Sequence, residues 1–198
     1  MTTLLRLACP ADAGAIQAIY GPIVRDTVIS FERDPPTVDE MRRRIADTLP
    51  THPWLVCERD GAVTGYAYAC RHRARAAYDW SVDVSVYIHP AWRRRGIGRA
   101  LYASLFAVLK LQGFYNAYAG IALPNPGSVG LHQAVGFRPV GVYREVGFKF
   151  GAWHDVGWWH LALQPKPAAP EPPLSIAELQ AHPLWSEALG GAPALTST

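Results

Sequence analysis

Residues Val82 to Leu109, VDVSVYIHPAWRRRGIGRALYASLFAVL, leave few folds open. Val82, Val84, Val86 and Ile88 alternate with Asp83, Ser85 and Tyr87, and this period of two in β-branched residues predicts a buried strand. His89-Pro90 ends it, because proline has no N–H to give to a ladder. Ile97, Leu101, Leu105, Val108 and Leu109 then recur at helical spacing. Between strand and helix lie Arg93, Arg94, Arg95, Gly96, Ile97, Gly98 and Arg99. The first turn of a helix carries N–H groups without an internal partner and the positive end of the dipole. Glycine lets an anion approach the backbone, and arginine adds forked donors. The order strand, basic glycine turn, helix therefore predicts a phosphate or pyrophosphate site. The turn is not G-x-x-x-x-G-K-[ST], which excludes a P-loop. Nor is it G-x-G-x-x-G after a first strand, which argues against a dinucleotide-binding unit.

The same two periodicities organise the rest. Leu4 to Leu7 is a short strand, and Asp12 is placed to cap a helix whose apolar face is Ile16, Ile19, Tyr20 and Ile23. Asp26 to Arg33 is a loop. Thr37 caps a second helix carrying Met41, Ile45 and Leu49, with Arg42, Arg43 and Arg44 mostly outward. Trp54 to Glu58 and Val63 to Cys70 form a hairpin about Asp60-Gly61, with a bulge marked by Gly65. Phe114 to Ile121 is a strand, and a short helix runs from Ser128 to the capping Gly136. Phe137 to Tyr143 and Val156 to Leu163 are final strands joined by the loop EVGFKFGAWHD. The order βααβββαβαββ predicts an α/β fold in three layers, α/β/α, with a mixed central sheet. Residues 1–163 make this domain. From Gln164 the proline-rich QPKPAAPEPP is a linker, and residues 164–198 are a tail. Within it LSIAELQAHPLWSEAL could form a helical turn or two that folds back, packs on a second subunit, or stays a floppy tail.

Apolar residues are 49% and charged residues 18% of the 198, so the chain is globular. The net charge of +3, with arginines grouped at 42–44, 71–75 and 93–99, points to local anion sites and not to nucleic acid. Cys9, Cys57 and Cys70 are an odd set in apolar surroundings and read as reduced thiols. The N-terminus lacks the apolar core of a signal peptide and no run reaches membrane-spanning length, so the cytoplasm is the expected location. No metal-ligand spacing and no G-x-S-x-G elbow occur.

Two motifs then converge. R-x-x-G-x-G stands at Arg93, Gly96 and Gly98. N-x-x-S-x-x-L-[YH]-x-x-x-G-F stands at Asn125, Ser128, Leu131, His132, Gly136 and Phe137. In this order they resemble the GCN5-related N-acetyltransferases (GNAT). YGPIVRDTVISFE, PWLVCERDGAVTGYAYA, RARAAYDW, SVYIHP, LPNPGSVGLH and GFKFGAWHDVGWW are similar to the phosphinothricin and methionine sulfoximine N-acetyltransferase branch, over roughly residues 4 to 163. The resemblance implies a GNAT-like fold, acetyl-CoA as co-substrate, no metal, a small-molecule amine as acceptor and a homodimer. It implies that acetyl-CoA lies against Val86, Tyr87 and Ile88, on the turn Arg93, Arg94, Arg95, Gly96, Ile97, Gly98 and Arg99, and beside Asn125 and Ser128.

Acetyl transfer to an amine needs a neutral nitrogen, and an α-amino group with a pKa near 7.7–8.0 is mostly charged at neutral pH. A carboxylate, direct or through a water, can take the proton. The branch usually carries Glu in a W-T-x-E pattern, whereas here the run is Trp80-Ser81-Val82-Asp83. Asp83 is one methylene shorter, a loss of about 1.5 Å of reach, and is expected to act through water. A backbone N–H of Tyr87 or Ile88 is the expected oxyanion donor, and His132 the expected proton donor to the departing thiolate. Arg73 and Arg75 suit an acidic acceptor. Phe31, Tyr78 and Lys149 complete the expected substrate pocket, while His154-Asp155 belongs to a structural hairpin in the branch. A protein N-terminal or lysine acetyltransferase and a non-catalytic acyl-CoA sensor are the alternatives.

Overall fold

The computed structural model describes residues 3–190. Its elements are β1 (Thr3–Leu7), α1 (Ala13–Asp26), α2 (Val38–Thr48), β2 (Trp54–Arg59), β3 (Ala62–Arg71), β4 (Ser81–Ile88), α3 (Ile97–Gln112), β5 (Asn116–Ala122), α4 (Pro126–Ala134), β6 (Arg138–Lys149), β7 (Ala152–Ala162), α5 (Ile176–Gln180) and α6 (Trp185–Gly190). Up to β7 this is the predicted order. The strands form one sheet, β1-β2-β3-β4-β5-β7-β6. Every pairing is antiparallel except β4 with β5.

Alternation along the strands builds two cores. Leu55, Cys57, Ala67, Ala69, Val82 and Val84 face α3, which supplies Leu101, Leu105 and Leu109, each fully buried. Burial of each such leucine contributes roughly 1.5–3 kcal/mol. Trp54, Val56 and Tyr66 face the other way, onto Ile16, Ile19, Met41 and Ile45 of α1 and α2. Thr37 caps α2 as predicted, accepting from the Glu40 N–H at 3.1 Å. A bulge opposite Cys57/Glu58 brings Thr64 in to donate to the Cys57 carbonyl. Gly65 beside it has no room for a side chain: a Cβ there would lie 2.7 Å from Ile88 Cδ1 and 3.0 Å from the Tyr87 carbonyl oxygen.

Three local expectations change, and one open alternative is decided. Asp12 does not cap α1. A 3-10 turn at Pro10–Asp12 intervenes, and the carboxylate instead accepts from the Cys9 N–H and from Arg6. Arg44 is not a solvated outward charge, because it pairs with Glu32 and ties α2 to the loop after α1. The loop EVGFKFGAWHD is mostly strand: β6 and β7 run on to a turn at Phe150-Gly151, with an irregularity between Tyr143 and Gly147. The tail folds back. Leu179 and Ile176 of α5 bury themselves on Val108 of α3, Ser104 donates to the Leu189 carbonyl, and Gln112 donates to the carbonyls of Leu174 and Thr51. Among the described residues no helix is long and apolar enough to cross a membrane.

One feature of the sheet positions the site. β4 pairs with β5 only over Ser81–Asp83, opposite Asn116–Tyr118. Beyond that point β4 keeps β3 as far as Ile88 opposite Gly65, and β5 keeps β7 as far as Ala122 opposite Val156. The two central strands therefore splay, and backbone groups on their facing edges lose their ladder partners.

Candidate active site

The splay opens into a cleft of about 680 Å³. One wall is the edge of β4, Val86 to Ile88. The floor is Arg93, Arg94, Gly96, Ile97, Gly98 and Arg99, and the far wall is Asn125, Ser128 and Leu131 on α4. A narrower cavity of about 50 Å³ continues inward between Val84–Tyr87 and Gly120–Ala122.

The register decides which amides face the gap. The His89 N–H donates to the Thr64 carbonyl at 2.9 Å, in continuous register with β3 against β4. Stepping back by twos, Tyr87 and Ser85 turn their N–H groups toward β3, whereas Ile88 and Val86, beyond the last β5 pairing, turn theirs into the gap. Of the two expected oxyanion donors, Ile88 therefore faces the cleft and Tyr87 does not. The Tyr87 ring lies on the opposite face, 5.1 Å from Tyr20 and 5.3 Å from Tyr66.

The turn into α3 has the geometry its glycines suggest. Gly96 is the N-cap with φ 79°, a left-handed conformation that costs glycine nothing, and Arg94 also lies at φ 61°. At Gly98 a Cβ would stand 3.0 Å from Leu131 Cδ2, so the glycine lets α4 close over the start of α3. The amides at the start of α3 thus meet the cleft with Arg93, Arg94 and Arg99 around them, an arrangement suited to a diphosphate. Arg95 is the exception in this run. It stacks on Trp92 with its guanidinium 4.9 Å from the ring centroid and does not line the cleft. Asn125 accepts from the Ser128 N–H at 3.1 Å and caps α4, leaving its amide nitrogen free of protein partners among the described residues.

Two expected residues, His132 and Lys149, are used differently. His132 is 4% exposed. Its Nδ1 donates to the Ser128 carbonyl at 2.8 Å, and its Nε2 lies 2.8 Å from the Tyr102 hydroxyl. With a carbonyl at Nδ1, the proton sits there and Nε2 accepts from the tyrosine. Burial holds the imidazole below its ordinary pKa, so neither nitrogen has a proton to spare for a thiolate. Lys149 is also buried. Its ammonium donates to the carbonyls of Val24 at 2.6 Å and Ser30 at 2.7 Å, pinning the loop after α1 to the β6–β7 hairpin, and burial lowers its pKa. Arg73 donates to the His72 carbonyl and lies 5.6 Å above the Trp158 ring. Arg75 is exposed just before a 3-10 turn at Ala76–Tyr78, and Tyr78 is partly exposed in it. Phe31 lies partly exposed, resting on Gly147 and 6.2 Å from the His154 ring.

Asp83 is the last residue of β4 to pair with β5, opposite Tyr118, so it sits where the splay begins. It does not stand alone. Its Oδ1 is 2.6 Å from Nδ1 of His72, a residue the motifs do not mark. Burial raises the Asp83 pKa, and the hydrogen bond and charge of His72, with Arg73, oppose that rise. The signal that could have found His72 is the hairpin: antiparallel β3 and β4 set Cys70 opposite Asp83, so the residue two beyond Cys70 comes close to the carboxylate.

Residues 5–158 match the family described as Acetyltransferase (GNAT) domain. The chain belongs to the GNAT family. It is 37% identical over 175 residues to the phosphinothricin N-acetyltransferase of Streptomyces viridochromogenes, covering 88% of this chain and 95% of that one. It is 35% identical over 168 residues to the L-methionine sulfoximine/L-methionine sulfone acetyltransferase of Salmonella typhimurium, covering 84% and 98%. Among solved structures, the phosphinothricin acetyltransferase of Sinorhizobium meliloti in complex with AcCoA superposes with a TM-score of 0.81 at 37% identity, over 87% of this chain and 94% of that one. As a GNAT member the chain is an acetyltransferase, and the three-layer α/β fold with its splayed sheet is that family's fold.

Proposed function

We propose that this GNAT chain moves an acetyl group from acetyl-CoA to the amine of a small amino-acid-like acceptor of the phosphinothricin or methionine sulfoximine kind, by direct attack in a ternary complex. The observation that carries the reading is the splay. The unpaired N–H groups of Val86 and Ile88 run straight into the glycine turn, a strand edge for the pantetheine arm that ends on a cradle for the diphosphate. Arg93, Arg94, Arg99 and the amides of Gly96 to Gly98 hold the diphosphate, and Asn125 and Ser128 close the far side. The Ile88 N–H supports charge on the acetyl oxygen.

The acceptor lies at the Asp83 end of the gap, between Phe31, Tyr78 and Arg73. Arg73 and the exposed Arg75 attract its acid group, and the ammonium proton is drawn off at the Asp83 end. His132 and Lys149 are positioning residues. His132 links α4 to Tyr102 of α3, and Lys149 holds the loop carrying Phe31. A homodimer joined through the β6–β7 hairpin is part of the proposal, because Val142, Tyr143, Val146, Phe148, Phe150 and Trp153 expose 40–62% of their surface there.

The test follows free thiol from acetyl-CoA against amino acids, methionine sulfoximine, phosphinothricin and peptides. Release with small acidic amines is the expected result. Release with peptides alone would replace it by protein acetylation, and tight acetyl-CoA binding with no release from any amine would replace it by a sensor.

A further inference from the structure

Asp83 is too short, and too occupied, to meet an amine by itself. Its Oδ1 is held by His72 at 2.6 Å, and the two side chains are 26% and 11% exposed. The His72 ring is held on its other sides as well. It stacks on Tyr118 of β5 with centroids 4.4 Å apart and planes 16° apart, and meets Tyr78 and Trp158 edge-on at 5.9 and 6.3 Å. Tyr118 is the β5 partner of Asp83, so the imidazole lies over the last closed rung of the splayed pair. Among the described residues its Nε2 has no hydrogen-bond partner. A carboxylate on one imidazole nitrogen sets the tautomer and leaves the lone pair on the other, which is the arrangement of a base with its orienting acid.

We propose that His72 Nε2 is the group that takes the proton from the attacking amine, and that Asp83 is its positioning residue. This rests on the acetyl-transfer reading above. An N–H bond of the ammonium breaks and its proton passes to Nε2. The freed lone pair forms the bond to the acetyl carbonyl carbon, and the C–S bond breaks with its electron pair left on sulfur. The second amine proton, released as the amide forms, goes to sulfur through solvent. The imidazolium, steadied by Asp83, discharges its proton to solvent, so amide, thiol and one proton result. The charged and titratable groups around the ring are Asp83 on β4, Tyr118 on β5, Tyr78 and Arg73 on the loop, Cys70 on β3, and His160 on β7 behind Tyr118 at 4.9 Å.

The experiment compares wild type, His72→Phe, which keeps the stack on Tyr118, and Asp83→Asn. In wild type kcat/KM should persist below the amine's own pKa of about 7.7–8.0, because a base in the site takes the proton of the bound ammonium. His72→Phe should reduce kcat by about 10²–10⁴-fold, leave acetyl-CoA affinity unchanged, and make kcat/KM fall about tenfold per pH unit below the amine's own pKa, because only neutral amine then reacts. Nitrogen-15 spectra of the protein without substrate give a second readout. They should show His72 protonated at Nδ1 in wild type and a mixture of tautomers in Asp83→Asn. A His72→Phe enzyme that keeps rate and pH profile while Asp83→Asn loses both would make the carboxylate the base and overturn the proposal. If His72→Phe does not fold, His72→Gln is read by the same two criteria. Absence of thiol release by wild type would strike the acetyl-transfer reading itself, and the tautomer measurement would still test the pair.

Discussion

Gly147→Ala isolates the wall that Phe31 provides. Gly147 sits in β6 opposite His154 and is not in the left-handed region, so alanine meets no backbone strain there. What it meets is the ring. A Cβ would overlap Cε2 and Cδ2 of Phe31 and stand 2.8 Å from Cζ. One of the two must move, and the ring is the freer partner because Phe31 is 37% exposed whereas Gly147 is held in a ladder. Full burial of a phenylalanine contributes roughly 1.5–3 kcal/mol, so swinging out a ring about two-thirds buried forfeits about 1–2 kcal/mol. For a chain of this size that lowers Tm by about 2–8 °C. If Phe31 walls the acceptor, KM for the acceptor rises by roughly tenfold, the same energy read through binding, and KM for acetyl-CoA does not change. The check is steady-state kinetics with each substrate varied, alongside thermal denaturation. Adding Phe31→Ala should cancel most of the further cost of Gly147→Ala, because the clash has lost its partner. An unchanged acceptor KM with a lowered Tm would remove Phe31 from the acceptor site, and strictly additive effects would refute the close approach itself.

Leu179→Ala empties a fully buried position under α5. It should cost about 2–5 kcal/mol, read as faster proteolysis within residues 164–174 once the tail lifts from α3, with acetyl-CoA affinity retained. Tyr102→Phe removes the only donor to His132 Nε2 among the described residues. It should cost about 1–3 kcal/mol in urea denaturation, and no loss would mean that the imidazole finds another partner. Burial holds His132 below its ordinary value, as it does His52 and His160. The unfolded chain therefore binds protons near pH 6.5 that the folded chain refuses. Stability is whole above about pH 6.5 and falls as the pH drops below it toward the folded values. Denaturation midpoints at about pH 7.5 and 5.5 should show that fall, and a higher midpoint at the acid end would contradict it.

What the sequence makes legible here is what short spacing controls. The strand Val82–Ile88, the turn at Gly96 and the helix carrying Leu101, Leu105 and Leu109 lie within one continuous stretch, and each follows from alternation, a missing Cβ or a helical repeat. Asn125 capping Ser128 is equally local. The residues read differently owe their roles to partners far along the chain. Lys149 resembles a substrate cation until the Val24 and Ser30 carbonyls, more than a hundred residues earlier, are found to consume its protons. His132 fits a motif position, yet Tyr102, thirty residues earlier, occupies the nitrogen that a thiolate would need. His72 shows the converse. In RHRAR it reads as one more polar residue in a basic loop, and only the register of β3 on β4 brings it to the carboxylate at Asp83. The departure from the branch's glutamate and the presence of that histidine are then one observation. A shorter acid retracts from the amine, and an imidazole resting on Tyr118 fills the distance it leaves. A motif assigns an acid to a position, but the fold decides whether that acid meets the substrate or holds the group that does.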